Sequence, residues 1–148
     1  MLLSRRSQLA LAAVADIALH ARPTPVAAKA LAVRLALPPR HLEALLQSLV
    51  HANILKGVRG PRGGYELARE RRRISIAAVL RAISDGTEDH AVEAESLLVR
   101  KVITPLLEEA GASLLEKLET ISIDDLCRQA EEFKLSEEAT VPRVDFTI

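Results

Sequence analysis

The 148-residue chain is poor in the residues that carry most catalytic and redox chemistry. It has one cysteine, one methionine, one tyrosine, two phenylalanines and no tryptophan. A single Cys127 excludes an intramolecular disulfide and any multi-cysteine metal site, and it fits a reducing cytoplasmic setting. No run approaches the roughly 20 apolar residues of a membrane span. Arg5 and Arg6 followed by an apolar stretch have the flavour of an export signal. A polar pair follows the arginines, however, and Asp16 interrupts the stretch, so an amphipathic helix is the better reading. There is no paired nucleophile and base and no phosphate loop. The four histidines, at 20, 41, 51 and 90, repeat no metal spacing. Neither an enzyme nor a resident cofactor or metal is expected.

What is present favours helices. Apolar residues make up 49% of the chain, mainly Ala, Leu and Val, with aromatics at 2%; good helix formers dominate. The formal net charge of zero hides an asymmetry. Residues 1–84 carry 14 Lys+Arg against 4 Asp+Glu, a net of +10, and residues 85–148 carry 6 against 16, a net of −10. An N-terminal part built for a polyanion is implied.

Apolar periodicity predicts a first helix from Ser4 to His20, with Leu9, Ala12, Ala13, Ile17 and Ala18 on one face. A second is expected from Val26 to Leu35, and a third from about Pro39 to His51 with Leu42, Leu45, Leu46 and Leu49 inward. Pro39 suits a first helical position, and Asn53 a left-handed cap. Two short helices joined by a tight turn make a helix-turn-helix. Short strands at Ile54–Val58 and Gly64–Ala68 flank RGPRGGY, residues 59–65, a glycine-rich turn holding two arginines; the pair reads as a hairpin. Ser75 is placed to cap a helix through Ser84. Beyond a boundary at Asp85-Gly86-Thr87, Val99, Val102, Ile103, Leu106, Leu107, Ala110, Leu114 and Leu118 form a long stripe that Pro105 either kinks or begins. Ser122-Ile-Asp-Asp opens a final helix.

These residues carry a pattern. KGVRGPRGGYELAR, residues 56–69, resembles the wing signature of the Rrf-two family of bacterial winged-helix transcription regulators. Leu42-Glu43, Leu45-Leu46 and Leu49 resemble its recognition helix, and ISIAAVLRAI, residues 74–83, its post-wing helix. Leu118 to Leu126 resembles the junction of its dimerisation helix with the next. The resemblance covers most of residues 4–127. It implies a mainly α fold with a small β-hairpin: a winged helix-turn-helix domain over 1–84, dimerisation and effector helices over 85–135, and a flexible tail over 136–148. It further implies a sequence-specific repressor, homodimeric on a palindromic operator in double-stranded DNA, answering to an unidentified protein or small-molecule effector. Two departures stand out. Cluster-bearing members have three cysteines between the post-wing and long helices. The corresponding stretch here, about Asp85 to Thr104, has none and offers Asp85, Glu88, Asp89, His90, Glu93 and Glu95; thiolates are the usual cluster ligands. Second, Ala44 stands where many relatives have a long polar residue.

The candidate contacts follow from groove chemistry. Arg59 or Arg62 on the wing can enter a narrow minor groove, and the N–H groups of Gly63 and Gly64 can meet phosphate. On the third helix Arg40, His41, Glu43, Ala44 and Gln47 are within reach of the major groove; Arg suits guanine, Gln adenine and Glu cytosine. Glu43 is equally suited to capping or a salt bridge, and His41 to packing beside the wing. Arg5, Arg6, Lys29, Arg34 and Lys56 are phosphate-contact candidates, as are one or two of Arg71, Arg72 and Arg73. Two other classes fit the same residues: an interaction module without DNA binding, and a metal or redox sensor using non-cysteine ligands near His90 or the Cys127 thiol.

Overall fold

The computed structural model describes residues 4–84 and 96–140, with side chains as far as 134. The elements run α1 (Arg5–His20), α2 (Ala28–Leu35), α3 (Pro39–His51), β1 (Leu55–Val58), β2 (Gly64–Leu67), a single 3₁₀ turn (Arg71–Arg73), α4 (Ile76–Ser84), a π-helical turn (Val99–Ile103), α5 (Thr104–Glu119) and α6 (Ile123–Thr140). This is a helix-turn-helix followed by an antiparallel hairpin, with Leu55 opposite Leu67 and Val58 opposite Gly64.

The core is aliphatic, as an almost aromatic-free sequence requires. Leu42, Leu45, Leu46 and Leu49 of α3 are all buried, together with Ala10, Ala13, Val14 and Ile17 of α1 and Ile76, Val79, Leu80 and Ile83 of α4. The face of α1 is therefore rotated from the one the spacing suggests: Leu9, Ala12 and Ala18 are only half-buried. Alanine and leucine surround this helix, so packing, not composition, chooses its inward side.

Local chemistry sets the ends. Ser4 Oγ accepts from the Ser7 N–H at the start of α1, an N-cap. Between α2 and α3 the chain turns through Ala36 at φ 52, whose N–H bonds back to α2. A left-handed alanine is strained relative to glycine. Asn53, at φ 58, takes the left-handed position after α3, a place asparagine tolerates. Ser75 Oγ accepts from the Ala78 N–H to cap α4.

The second helix begins at Ala28, not Val26. Val26 pairs instead with Tyr65, its N–H donating to the Tyr65 carbonyl at 2.9 Å and its carbonyl accepting the Tyr65 N–H at 2.8 Å. The linker thus lies against β2 like a third strand. Gly64 makes this approach possible, because a Cβ there would stand 2.2 Å from the Val26 carbonyl oxygen.

Pro105 stands in the first turn of α5 without ending the helical backbone ahead of it. The backbone stays right-handed helical from Leu98 through Thr104 into α5. The preceding turn is widened to π geometry, which opens room for the ring that an α-turn would crowd. The final helix runs from Ile123 to Thr140. Residues 85–95, with the expected boundary and the acidic cluster around His90, lie outside the described residues.

Gly64→Ala should cost about 2–3 kcal/mol through forced separation of the Val26 and β2 backbones. Gly57→Ala, with nothing within 4 Å of the added carbon, should stay within about 0.5 kcal/mol of wild type. Urea denaturation of both variants measures the difference.

Candidate nucleic-acid interface

The leucine face of α3 is held down by α4, α2 and β1, so its other face is presented outward. Arg40, His41, Glu43, Ala44 and Gln47 are all exposed on it. The N-cap of α3 is Pro38, with no side-chain cap and no acid in the first turn. The positive end of the helix is therefore uncompensated by protein groups.

The wing tip places Arg59 and Arg62 in solvent. Gly60 at φ +114 allows the reversal. The Gly63 N–H donates to the Gly60 carbonyl at 2.9 Å. It is therefore engaged in the turn, and Gly63 can offer a close backbone approach but no free donor.

Of the basic residues expected at phosphates, the structure divides those already engaged from those that are not. Arg34 is a clamp: its guanidinium donates from Nε and Nη2 to both Asp16 carboxylate oxygens at 2.7–3.2 Å, tying α2 to α1, and this bidentate bond raises its pKa further above the ordinary arginine value. Lys56 pairs across the hairpin with Glu66 at 2.9 Å. Arg71 pairs with Asp124 at 2.7 Å. Among the described residues no ion pair involves Arg5, Arg6, Lys29, Arg40, Arg59 or Arg62. Arg5 and Lys29 are exposed, and Arg6 is half-buried.

A second set of contacts, invisible to spacing, joins this domain to the C-terminal helices. The Ile76 N–H donates to the Ile121 carbonyl, and the Ile123 N–H to the Ile74 carbonyl, both at 2.8 Å. Buried Asp124 meets Arg71 and, at 3.3 Å, Arg128. Ser122 and Asp125 cap α6 reciprocally: the Ser122 N–H and hydroxyl donate to the carboxylate, and the Asp125 N–H donates to Ser122 Oγ. The Ser122 backbone and side-chain bonds, helped by Arg128, hold the Asp125 carboxyl below its usual range.

The candidate dimer residues separate into two groups. Val102, Ile103, Leu106 and Leu107 are 38–61% exposed, with Leu97 and Leu98 beside them in sequence, and Val99 is half-buried. Leu118, by contrast, packs on this chain's own core with Leu115, and Leu114 is half-buried. No residue of α5 is fully buried.

Cys127 is fully buried, its Sγ facing the Ala15 carbonyl at 4.0 Å. Burial raises the thiol pKa, a push that nearby Arg71 opposes. The chain holds no second thiol, and this one is enclosed between α1 and α6. The residues present do not fit an iron–sulfur cluster held by cysteines. Among the described residues no three His, Cys, Asp or Glu converge on a metal-sized site, and no helix is long and apolar enough to cross a membrane.

An outward-facing helix after a tight turn, beside an arginine-tipped hairpin, defines a winged-helix DNA-binding protein. The comparisons specify which. Residues 3–129 match the Rrf2 family model, described as an iron-dependent transcriptional regulator. An HTH-type transcriptional regulator of Synechocystis, slr0846, is 30% identical over 139 residues, spanning 93% of this chain and 95% of the relative. The regulator IscR of Aliivibrio salmonicida is 30% identical over 85% of this chain and 77% of its own. The structure of T. potens IscR superposes with a TM-score of 0.65 at 29% identity, covering 95% of this chain and 92% of that one. CymR of B. subtilis shares the fold, with a TM-score of 0.65 at 22% identity over 86% and 96%. The chain belongs to the Rrf2 family: it is a DNA-binding transcription regulator, not an enzyme.

A buried, mostly protonated thiol reacts slowly. Native protein should leave Cys127 largely unlabelled by a thiol-exchange reagent at neutral pH, whereas urea-unfolded protein should release one equivalent at once. Absorbance of the released thiolate reads both.

Proposed function

We propose that the chain is a homodimeric repressor that binds a palindromic operator without an iron–sulfur cluster, in the cytoplasm. The observation that carries this reading is the coincidence of an outward polar face on α3 with wing arginines that have no protein partner among the described residues. Glu43 and Gln47 read base edges in the major groove, and Arg40 enters at the same end of α3. Arg59 and Arg62 lie in the flanking minor groove, with Gly63 and Gly64 allowing the backbone close. Arg5, Arg6 and Lys29 hold phosphates. Ala44 leaves room for a base methyl group.

The dimer is supported by the uncovered apolar surface of Val102, Ile103, Leu106 and Leu107 on the turns around Pro105. Contiguous patches of this kind mark association surfaces, and a two-fold partner spaces two recognition helices for a palindrome. Leu106→Glu should convert a dimer into a folded monomer, seen as a halved mass in sedimentation with an unchanged circular dichroism spectrum.

Selection of bound fragments from a genomic DNA pool, at moderate salt with protein as purified, tests the operator. Enrichment of an inverted repeat is the expected result, and retention of no DNA would remove the reading. On the selected operator, Arg59→Ala and Arg62→Ala should each weaken binding by about 1–3 kcal/mol without lowering thermal stability. Loss of a cation from the groove should also make log affinity less steeply dependent on log salt. Fluorescence anisotropy across a salt series measures both.

A further inference from the structure

The first turns of α1 and α3 face each other across a cavity of about 390 Å³. Four of its lining side chains are Arg5, Arg6, Arg40 and His41; Leu9 and Leu45 give it an apolar wall, and no carboxylate lines it. Arginines near a helix N-terminus oppose the macrodipole, and here both helices carry them. Neither first turn holds an acid, and α3 lacks a side-chain cap. Most telling, Arg6 Nε is buried with no hydrogen-bond partner. A buried charged donor without an acceptor is costly and rare. Each feature is unfavourable in the protein alone, and each is relieved by the same thing, an oxyanion in the cavity.

We propose that this cavity is a phosphate pocket that takes one backbone phosphodiester of the operator, with Arg6 as its inner donor. The proposal deepens the operator-binding reading and rests on it. Arg5 and Arg40 close on the phosphate from the two helices, and the Arg40 N–H in the first turn of α3 adds the positive end of its dipole. The contact fixes how deep α3 sits in the major groove, because the same turn of α3 carries both the phosphate donor Arg40 and the neighbouring base-reading positions. Phosphate contacts of this kind set register without reading sequence.

The pocket predicts an inversion that a structural arginine would not show. Arg6→Met removes an unpaired buried donor, so the free protein should melt about 3 °C higher. The same variant should bind operator about tenfold more weakly, with a salt slope about 0.9 smaller. Arg5→Gln, at an exposed position, should reproduce the smaller slope with little change in melting. In a separate arm without DNA, inorganic phosphate should raise the melting temperature of wild type more than chloride at equal ionic strength, and this excess should vanish in Arg6→Met. Full operator affinity and an unchanged slope in both variants would overturn the proposal while leaving DNA binding intact. If the phosphate excess is present but operator affinity is unchanged, the pocket belongs to a free phosphate species and the operator assignment is overturned. A wild type that binds no DNA at all would sink the operator reading itself, and this proposal with it.

Discussion

The wing depends on two hydrogen bonds between Val26 and Tyr65. A hairpin of two four-residue strands is marginal by itself. Here Leu55 is buried, the linker ahead of α2 adds a bridge to β2, and Lys56 pairs with Glu66 across the strands. The bridge requires the linker and β2 to approach closer than any side chain at position 64 permits. The glycines of RGPRGGY therefore have separate tasks. Gly60 reverses the chain, and Gly64 fastens the hairpin to the helix-turn-helix. Arg59, just before Gly60, and Arg62, between the two glycines, are presented by a tip whose base is fixed on both sides.

Charge pairing explains which cations remain for DNA. The first 84 residues hold only four acids. Asp16 takes Arg34 in a bidentate clamp, Glu66 takes Lys56, and Glu70 lies 3.9 Å from Arg73. Arg71 is matched from the acidic half, by Asp124. Arg34, Lys56 and Arg71 thus have carboxylate partners within the protein, whereas Arg5, Arg6, Arg40, Arg59 and Arg62 have no ion-pair partner among the described residues. The opposite charges of the two halves are thus not simply a sign of two binding partners. Part of the difference is used to join them.

The legible parts of the sequence were those with contrast. The inward face of α3 could be read because four leucines alternate with charged and small polar residues. The inward face of α1 could not, since leucine and alanine surround it and contact with α2, α4, α6 and β2 selects Ala10, Ala13, Val14 and Ile17. Val26 looked like a helix start because nothing in its neighbours announces a partner 39 positions away. Arg34 and Arg40 are chemically identical in a sequence; the distance from Asp16 separates a clamp from a free donor. Pro105 left two readings open because the outcome rests on the preceding turn, which widens to π geometry instead of ending. For the candidate interface, the residue types and their elements were readable, whereas the convergence of two helix starts on one cavity required the fold.

Among the described residues, the polar contacts that join the C-terminal helices to the DNA-binding part gather at one end of α5. Ile121 and Ile123 bond to Ile76 and Ile74, Asp124 grips Arg71, and Arg81 meets Glu119 at 2.7 Å. All of these contacts lie at the junction of α5 and α6, while the opposite end of α5 carries the exposed apolar turns. A change in how those turns pack would reach the rest of the protein through this junction. The first element beyond it is the Arg71–Arg73 turn, which directly follows the wing. Cys127 lies one helical turn from Asp124, enclosed and alone, so the thiol chemistry that would hold a cluster has no foothold there. With no second thiol in the chain, its single cysteine cannot hold a cluster as the input to this regulator.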